Sequence, residues 1–471
     1  MEVFQLSEDI CSTSLSTFNK HLNEKIIDMK NKFLKFTAAL IAVFVFNACT
    51  LEKVVDPNFP GVESLAGNAT KSQLNNLAIG EFSLARNGMG TYLQVTGTIG
   101  KELFNFNLTE SRWLTELNGL RPIDNSAFYN GATTGFGLPV RQANILLAAA
   151  DKTTLATAEE KAGYKGIANT FKGLAYLLML NAQYQSGVRL SVEDPFKPSK
   201  PVSYIESLAG IIGFLDAGAA SLDAAGSAFP VTFPTGFAGF NTPATFKQFN
   251  RAIALRVAIY QKDWAKAATI LPQTFISETG SLTAGPVNTY NAALPDIANP
   301  LVNVSSATIV AVEKIFNDIE AGDDRINKVV LVDPALSYSS GLPSAYLSKW
   351  KSNIYNASTS TSIPIIRNEE LILIKAEIAA NQNNLPEATR VINLIRVAHG
   401  LTGVALFASA DAAITAILKE RLYSLWYEGH RWVDMRRYDR IDQIEIPVIG
   451  MKVLQQLERP NAEVNWDIAN P

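Results

Sequence analysis

Cysteine and histidine are scarce in this 471-residue sequence. The two cysteines are Cys11 and Cys49, and the three histidines are His21, His399 and His430. Two cysteines cannot form a disulfide framework or a cysteine-based zinc site, and three scattered histidines supply a metal site poorly. Sites built from Asp, Glu and Asn oxygens remain open to calcium. The sequence therefore predicts no cofactor and no metal site, with a structural calcium ion as the alternative left open.

Strong net charge is absent as well. The formal net charge is -3, and no long basic run occurs, which argues against a nucleic-acid partner. Hydrophobic residues make up 47% of the chain, while 29 glycines and 21 prolines are ordinary numbers for this length. The composition is therefore typical of a folded protein with a large core, and it excludes fibrous and broadly disordered classes.

The segment 29–48 has the order of a secretory signal peptide. Three lysines (Lys30, Lys32 and Lys35) precede the apolar run FTAALIAVFVF at 36–46. This run is too short for a stable transmembrane helix, which needs about 20 residues. We expect 1–48 to be a signal region whose true start is Met29.

Cys49 directly follows the small residue Ala48, an order that resembles the lipobox of bacterial lipoproteins. Phe46 stands where that motif prefers leucine. The resemblance implies that Cys49 is acylated and becomes the mature N-terminus, anchored in a membrane by its acyl chains. The following residues 49–65 contain Pro57 and Pro60, which block helix formation. We expect them to form an extended, lipidated tether.

Helical periodicity dominates the rest of the chain, so we expect a mostly α fold in a single domain at 66–471. Short connections are typical of antiparallel helix pairs. The predicted helices are 70–87, 138–151, 156–186, 203–225, 244–260, 263–272, 367–382, 385–398 and 410–428.

Two helix pairs share one pattern. The polar turns Lys262-Asp263 and Asn383-Asn384 separate helices whose facing residues include small alanines, and this resembles tetratricopeptide pairing. Long insertions at 226–243 and 273–366 interrupt the pairs and read as loops, with a possible short strand at 346–350. Loops on a rigid helical frame are a common place for binding sites.

The stretch WYEGHRWVDMRR at 426–437 could be an active site or a structural lattice. In the catalytic interpretation His430 is a base oriented by Asp434 or Glu428, but no G-x-S-x-G elbow marks a nucleophile. In the structural interpretation, carboxylates and arginines three residues apart form ion pairs along a helix, Glu428 with Arg431 and Asp434 with Arg437. We favour the structural interpretation.

The same stretch carries a resemblance to a known family. KERLYSLWYEGHRWVDMRRYDR at 419–440 resembles the C-terminal signature of the SusD/RagB family, with Ser424 at a position that is often acidic there. The matching residues are Glu420, Arg421, Leu425, Glu428, Gly429, Arg431, Trp432, Asp434, Arg436 and Arg437. A second stretch, 365–401, resembles two further helices of the family through Arg367, Glu370, Leu371, Ala376, Glu377, Ala388, Ile392, Asn393 and Arg396.

The resemblance implies a SusD-like α-helical fold with tetratricopeptide-like helix pairs and long loop insertions, its family signature spanning about 270–471. It also implies a lipid-anchored, cell-surface protein of the bacterial outer membrane. Members of the family capture a nutrient, often an oligosaccharide, and deliver it to a SusC-like TonB-dependent β-barrel transporter. They are not enzymes, and the 426–437 segment is structural in them.

Exposed aromatic rings suit the flat C–H faces of sugars, especially beside polar loop residues. Three loop regions offer such rings, at 104–113, 337–350 and 351–356, and we favour the two that contain Trp113 and Trp350. The candidate ligand-binding residues are Asn107, Arg112, Trp113, Tyr338, Tyr346, Trp350 and Tyr355.

Two other functions remain open. A surface-anchored glycoside hydrolase would need two carboxylates about 5 to 10 Å apart, and a peptide-binding tetratricopeptide scaffold would need an exposed groove along its helix pairs.

Overall fold

α-Helices dominate the computed structural model of the chain. The structure describes residues 29–30, 67–107, 109–194, 196–294, 296–302, 309–355 and 358–471, without the side chains of 333, 334 and 336. The predicted signal region, apart from Met29 and Lys30, lies outside the described residues, as do the lipidation site Cys49 and the tether 49–65. The described residues from 67 onward belong to one unit, Val62–Pro471.

The helices agree with most of the predicted ones, and the expected mostly α fold is confirmed. They are α1 (Lys71–Asn87), α2 (Met89–Ile99), α3 (Arg112–Thr115), α4 (Gly131–Thr134), α5 (Gly137–Lys152), α6 (Ala158–Gln183), α7 (Tyr204–Asp223), α8 (Pro243–Tyr260), α9 (Trp264–Ile270), α10 (Glu313–Asn317), α11 (Asn368–Asn381), α12 (Leu385–Ala398), α13 (Ala410–Ser424), α14 (Arg431–Arg437) and α15 (Asn461–Ala469).

The strands are short and pair as antiparallel two-stranded sheets. They are β1 (Leu103–Asn105), β2 (Val287–Asn288), β3 (Ile309–Ala311), β4 (Val329–Tyr338), β5 (Tyr346–Ser352) and β6 (Ile363–Pro364). In the described residues β1 pairs with β3, β2 with β6, and β4 with β5. The predicted strand at 346–350 is therefore part of a hairpin, and the insertion 273–366 carries more strand than its composition indicated.

Polar side chains begin the long helices. Thr70, Thr157 and Ser203 each accept a hydrogen bond from a backbone N–H three residues later, and the side chain of that residue bonds back. These capping boxes satisfy N–H groups that have no partner inside the helix. Local sequence therefore fixes where α1, α6 and α7 start.

The two predicted helix pairs are present. Lys262 and Asn383 have φ values of 57° and 59°, which reverse the chain after α8 and α11. The next residues, Asp263 and Asn384, accept hydrogen bonds from the first turns of α9 and α12. One polar residue thus turns the chain and the next caps the following helix.

The helices bury two main apolar clusters. The larger one joins α1, α2, α5, α6, α7 and α8, and a second lies between α11, α12 and α13. The fully buried Ala388, Val391, Ile392 and Ile395 of α12 form the stripe that contacts α11. A third, smaller cluster under the β4–β5 hairpin contains Phe104 and the neighbouring aromatic residues.

By length and composition, α7 is the one helix in the described part of the chain that could cross a membrane. It packs against α6 and α8, and its Asp216 pairs with Arg251 of α8 at 2.7 Å. These contacts are those of a core helix.

A buried ion-pair lattice surrounds the 426–437 segment. Asp434 accepts hydrogen bonds from Arg421 at 2.6 and 3.1 Å and from Arg437 at 3.0 Å. Arg437 also pairs with Glu377 of α11. These four side chains are at most 4% exposed. The lattice therefore joins α13 and α14 to α11 by fully buried ion pairs.

The lattice extends to Glu420, one of the residues that carry the sequence resemblance. Its carboxylate accepts from Arg325 and from Arg396 of α12, each at 2.7 Å. Arg325 belongs to the short 3₁₀ helix Asp324–Lys328, which runs directly into β4. One buried carboxylate thus connects α13, α12 and the base of the hairpin.

Glu428 and Arg431 do not form the predicted ion pair. α13 ends at Ser424, because Tyr427 (φ 64°) and Gly429 (φ 81°) turn the chain out of the helical path. Glu428 pairs instead with Arg367, at 2.9 Å. The predicted three-residue spacing holds for Asp434 and Arg437, which share α14.

Trp432 and Arg436 hold a distant segment of chain by its carbonyl groups. The fully buried Trp432 donates from Nε1 to the carbonyl of Leu454 at 2.7 Å. Arg436 donates to the carbonyls of Gln455 and Asn181 at 2.8 and 2.7 Å. Side chains of α14 therefore fix the chain near 454–455 against α6.

We expect Asp434→Asn to destabilise the protein by about 3–5 kcal/mol, since it leaves the buried guanidinium of Arg421 without its ion-pair partner. Urea unfolding of the whole chain measures this. The matched control is Asp411→Asn. The Asp411 side chain is 83% exposed and pairs with Arg440, so its loss should change stability little. Equal stability of the two variants would show that the lattice does not hold the fold.

Glu81 of α1 is fully buried, and neither carboxylate oxygen has a hydrogen-bond partner among the described residues. Burial raises the pKa of Glu81 well above its usual value. The folded protein therefore holds a proton that the unfolded chain releases above about pH 4.5. The free energy of unfolding therefore falls as the pH rises from about 4.5 towards the pKa that Glu81 has in the folded protein.

We expect Glu81→Leu to stabilise the protein by about 1–3 kcal/mol at pH 7, since it removes an unpartnered polar group. The gain over the wild type should grow between pH 4.5 and 7. Glu81→Gln is the matched control, because it removes the titration and keeps an unpartnered polar group. Thermal unfolding at both pH values checks this, and a gain that is the same at both contradicts the titration argument.

Candidate functional site

Two of the predicted ligand-binding regions pack against each other. Phe104 of β1 stacks on Tyr346 of β5 with 4.1 Å between ring centroids, and Phe106 lies 4.0 Å from Tyr338 of β4. Most of this aromatic cluster is buried, with Phe104, Phe106 and Tyr346 at most 7% exposed. The cluster therefore supports the hairpin from below, and only Tyr338 is half-buried.

Trp113 and Tyr355 do not offer an open ring face. Trp113 is 8% exposed and packs on Phe128 at 4.7 Å between centroids. Tyr355 is 3% exposed and packs on Tyr427 at 5.3 Å. A sugar that stacks on a ring needs one face of it in solvent, and neither residue meets that requirement.

Arg112 and Asn107 shape their own loop. The Arg112 guanidinium donates to both carboxylate oxygens of Glu110, at 2.8 and 2.7 Å. Asn107 Oδ1 accepts from the backbone N–H groups of Thr109 and Glu110 at 2.9 and 3.1 Å. The Arg112 guanidinium and the Asn107 side-chain oxygen therefore bind neighbouring residues of the same loop.

Trp350 on β5 is half-buried, so part of its ring lies at the surface. Its Nε1 donates to Oδ1 of Asn317, at the end of α10, at 3.0 Å. Leu331 of β4 lies directly opposite in the sheet and is 57% exposed. Cross-strand partners point to the same side of a sheet. Trp350 and Leu331 therefore present a joint apolar surface with an amide at its edge.

An open pocket of about 340 Å³ lies next to this surface. It shares Asn317 with the Trp350 hydrogen bond and has Tyr346 of β5 in its lining. The lining residues are Val312, Glu313, Lys314, Asn317, Asp318, Tyr346, Glu445, Ile446 and Pro447. We call Trp350, Leu331 and this pocket the Trp350 site.

Charged and amide groups surround the pocket. Lys314 lies 2.5 Å from Asp318 and 3.9 Å from Glu445, so its charge is balanced within the pocket.

The sequence did not predict Asn317, Leu331 and Glu445 as residues of this site. A five-residue helix and a loop give no periodic signal, and only the hairpin register brings Leu331 beside Trp350.

His430 is not arranged as a catalytic base. It lines a closed cavity of about 20 Å³, its Nε2 lies 3.6 Å from Glu370, and its Nδ1 has no partner among the described residues. Burial lowers the pKa of His430 to about 4, against the pull of Glu370. The proposed orienting residues Asp434 and Glu428 are instead bound to arginines. His430 is therefore a neutral core residue at pH 7.

Where the chain is described, no group of three or more His, Cys, Asp or Glu side chains could hold a metal ion.

The C-terminal part of the chain matches the model of the SusD family over residues 337–470. This range contains both stretches that resemble the family in sequence. It also contains β5 with Trp350 and the ion-pair lattice around Asp434. No curated protein matches the chain.

Solved structures share the fold at low sequence identity. A SusD superfamily protein from Bacteroides vulgatus has a TM-score of 0.64 and 14% identity, with 84% of this chain and 97% of that chain covered. Surface glycan-binding protein A from Bacteroides thetaiotaomicron has a TM-score of 0.64 and 12% identity, with 85% and 98% covered.

A SusD-like carbohydrate binding protein from Bacteroides vulgatus has a TM-score of 0.56 and 17% identity, with 79% of this chain and 84% of that chain covered. At these identities the comparison shows the fold, and the family model supplies the sequence relation. Together they confirm the resemblance found in the sequence: residues 337–470 match the SusD family model, and the chain has the fold of SusD superfamily proteins.

Proposed function

We propose that this chain is a cell-surface binding protein for glycans. The observation that carries the proposal is the Trp350 site, where a partly exposed indole lies beside a pocket lined by amide and charged groups. Sugars bind to proteins through this combination, because their C–H faces stack on aromatic rings while their hydroxyl groups need polar partners. Structural relatives named as glycan-binding proteins support the same ligand class.

The pocket favours binding over glycoside hydrolysis. Hydrolysis needs one carboxyl group whose pKa is raised so that it can donate a proton, and burial is the usual cause. Asp318 and Glu445 have side chains that are 53% and 61% exposed, and both lie near Lys314. Neither carboxyl group is buried, so the pocket lacks the buried acid that hydrolysis needs, and we propose that the protein is not an enzyme.

A peptide-binding scaffold is less well supported. In α11 every side chain except Lys375 and Asn381 is buried, and in α8 the residues 249–260 are all buried. The helix pairs are therefore covered by the rest of the fold. In the described part of the chain, α8 and α11 therefore do not offer a peptide the exposed helix faces of an open tetratricopeptide groove.

The remaining parts of the proposal rest on the N-terminal sequence and on the family. We propose that Cys49 carries a lipid anchor, that the protein lies on the outer surface of the outer membrane, and that it passes its glycan to a SusC-like TonB-dependent β-barrel transporter. The lysines and apolar run before Cys49 support export and acylation.

We expect Trp350→Ala to weaken glycan binding at least tenfold. A central aromatic anchor contributes about 2 kcal/mol or more, and 1.4 kcal/mol is a tenfold change in Kd. The assay uses an oligosaccharide array to find a ligand, followed by calorimetric titration of that oligosaccharide.

Trp466→Ala is the matched control for this substitution. Trp466 is also half-buried, but it lines a different pocket, so its removal should leave glycan affinity unchanged. Equal affinity of the Trp350→Ala variant and the wild type would exclude the Trp350 site as the glycan site.

We expect the wild-type chain to fractionate with outer membranes and to co-purify with a TonB-dependent barrel in mild detergent. Cys49→Ser should leave it as a soluble protein or an unprocessed precursor, because no acyl chain can be attached. Membrane fractionation and mass spectrometry of the purified complex measure both results. A Cys49→Ser variant that is processed and still fractionates with the outer membrane contradicts the anchor, and wild-type protein without a barrel contradicts the delivery role.

A further inference from the structure

Arg431 differs from the other arginines of the 426–437 segment. Arg436 and Arg437 are saturated by carbonyl groups and carboxylates. The guanidinium of Arg431 forms no hydrogen bond or ion pair with any described residue. It is half-buried and lines a second pocket, of about 150 Å³. We call this the Arg431 pocket.

The Arg431 pocket adjoins the Trp350 site. The two pockets share wall residues in and directly beside α10 and in the loop that precedes residue 447, so they are adjacent. The shared residues are Val312, Lys314, Asp318 and Glu445.

A second buried cation lines the Arg431 pocket. Lys101 is 2% exposed, and its Nζ donates to Asn118 Oδ1 at 2.8 Å. Burial lowers the pKa of Lys101 to about 7 and also lowers the pKa of Arg431. Burial thus disfavours the charged forms of both side chains, and a bound anion would offset this desolvation penalty.

Nearby carboxyl groups do not supply this anion. Burial raises the pKa of Glu102 to about 8, so it is largely uncharged at pH 7. Asp434 is held by Arg421 and Arg437. The exposed Asp318 and Glu445 lie with Lys314 on the shared wall. None of these carboxyl groups forms an ion pair with Arg431, which therefore keeps an unpaired positive charge.

We propose that the Arg431 pocket binds the negatively charged substituent of an anionic glycan, a carboxylate or a sulfate ester. The proposal rests on the glycan-binding function proposed for the Trp350 site and specifies its ligand class. A guanidinium group presents paired N–H donors that match the two oxygens of such an anion. The sugar ring stacks at Trp350 while its acidic group, or that of the next residue, lies against Arg431.

The test uses an array of matched oligosaccharides: uronic-acid oligomers and their methyl esters, and sulfated oligomers and their desulfated forms. We expect the wild type to bind an acidic member at least tenfold more tightly than its neutral partner. Arg431→Gln should remove that preference and leave the affinity for the neutral partner unchanged. Trp350→Ala should weaken binding of both.

Because Arg431 is half-buried, a second variant keeps the test independent of folding. Lys314→Glu changes a side chain that is 52% exposed at the shared wall, and it should repel the anionic ligands selectively. Lys419→Glu, 47% exposed on α13 and lining neither pocket, is the matched control and should change no affinity.

The outcomes separate the two proposals. Equal binding of acidic and neutral partners, or an acidic preference that survives both Arg431→Gln and Lys314→Glu, overturns the anionic ligand and leaves glycan binding intact. Loss of the preference for carboxylates alone, or for sulfates alone, identifies which anion the pocket takes. Failure to bind any member of the array overturns glycan binding and the anionic ligand together.

Discussion

The buried pairing of carboxylates with guanidinium groups between α11, α13 and α14 is the constraint on which the rest of this structure depends. Removing an ion from water costs several kcal/mol, which is recovered only when every partner is in place. Asp434 needs both Arg421 and Arg437, and Arg437 needs Glu377. These helices therefore have few acceptable relative positions. A purely apolar interface of the same size would accept small shifts that this lattice penalises.

The same lattice positions the walls of the Trp350 site. Arg325 binds Glu420 and begins the chain that becomes β4, and the neighbouring Lys328 donates to the carbonyl of Ser424. The hairpin that carries Trp350 is thus attached at its base to α13. A ligand that meets walls held in this way does not have to order them on binding, which leaves more of the contact energy as affinity.

Local features of the chain could be predicted, and tertiary ones could not. Capping residues and polar turns act within a few positions, so the sequence was sufficient for the long helices and for both helix pairs. The helix α2 was missed because TYLQVTGTIG is rich in Thr and Gly and buries nearly every side chain, which removes the periodic signal.

Among the aromatic candidates, Trp113 and Trp350 are the same residue type in similar loop composition, and only packing makes one of them core and leaves the other at the surface. The contact of Trp350 with Asn317 depends on residues 33 positions apart, for which no local pattern exists.

The family segment illustrates how far one motif can serve two purposes. In sequence Arg431 looks equivalent to Arg436 and Arg437, and the spacing to Glu428 even predicts an ion pair for it. The left-handed backbone at Gly429 sends Glu428 to Arg367 and leaves Arg431 facing a pocket. Arg431 stays without an ion-pair partner there because Asp434 is already held by Arg421 and Arg437, and Glu428 by Arg367. The saturation that stabilises the fold is therefore also what keeps one guanidinium available for a ligand.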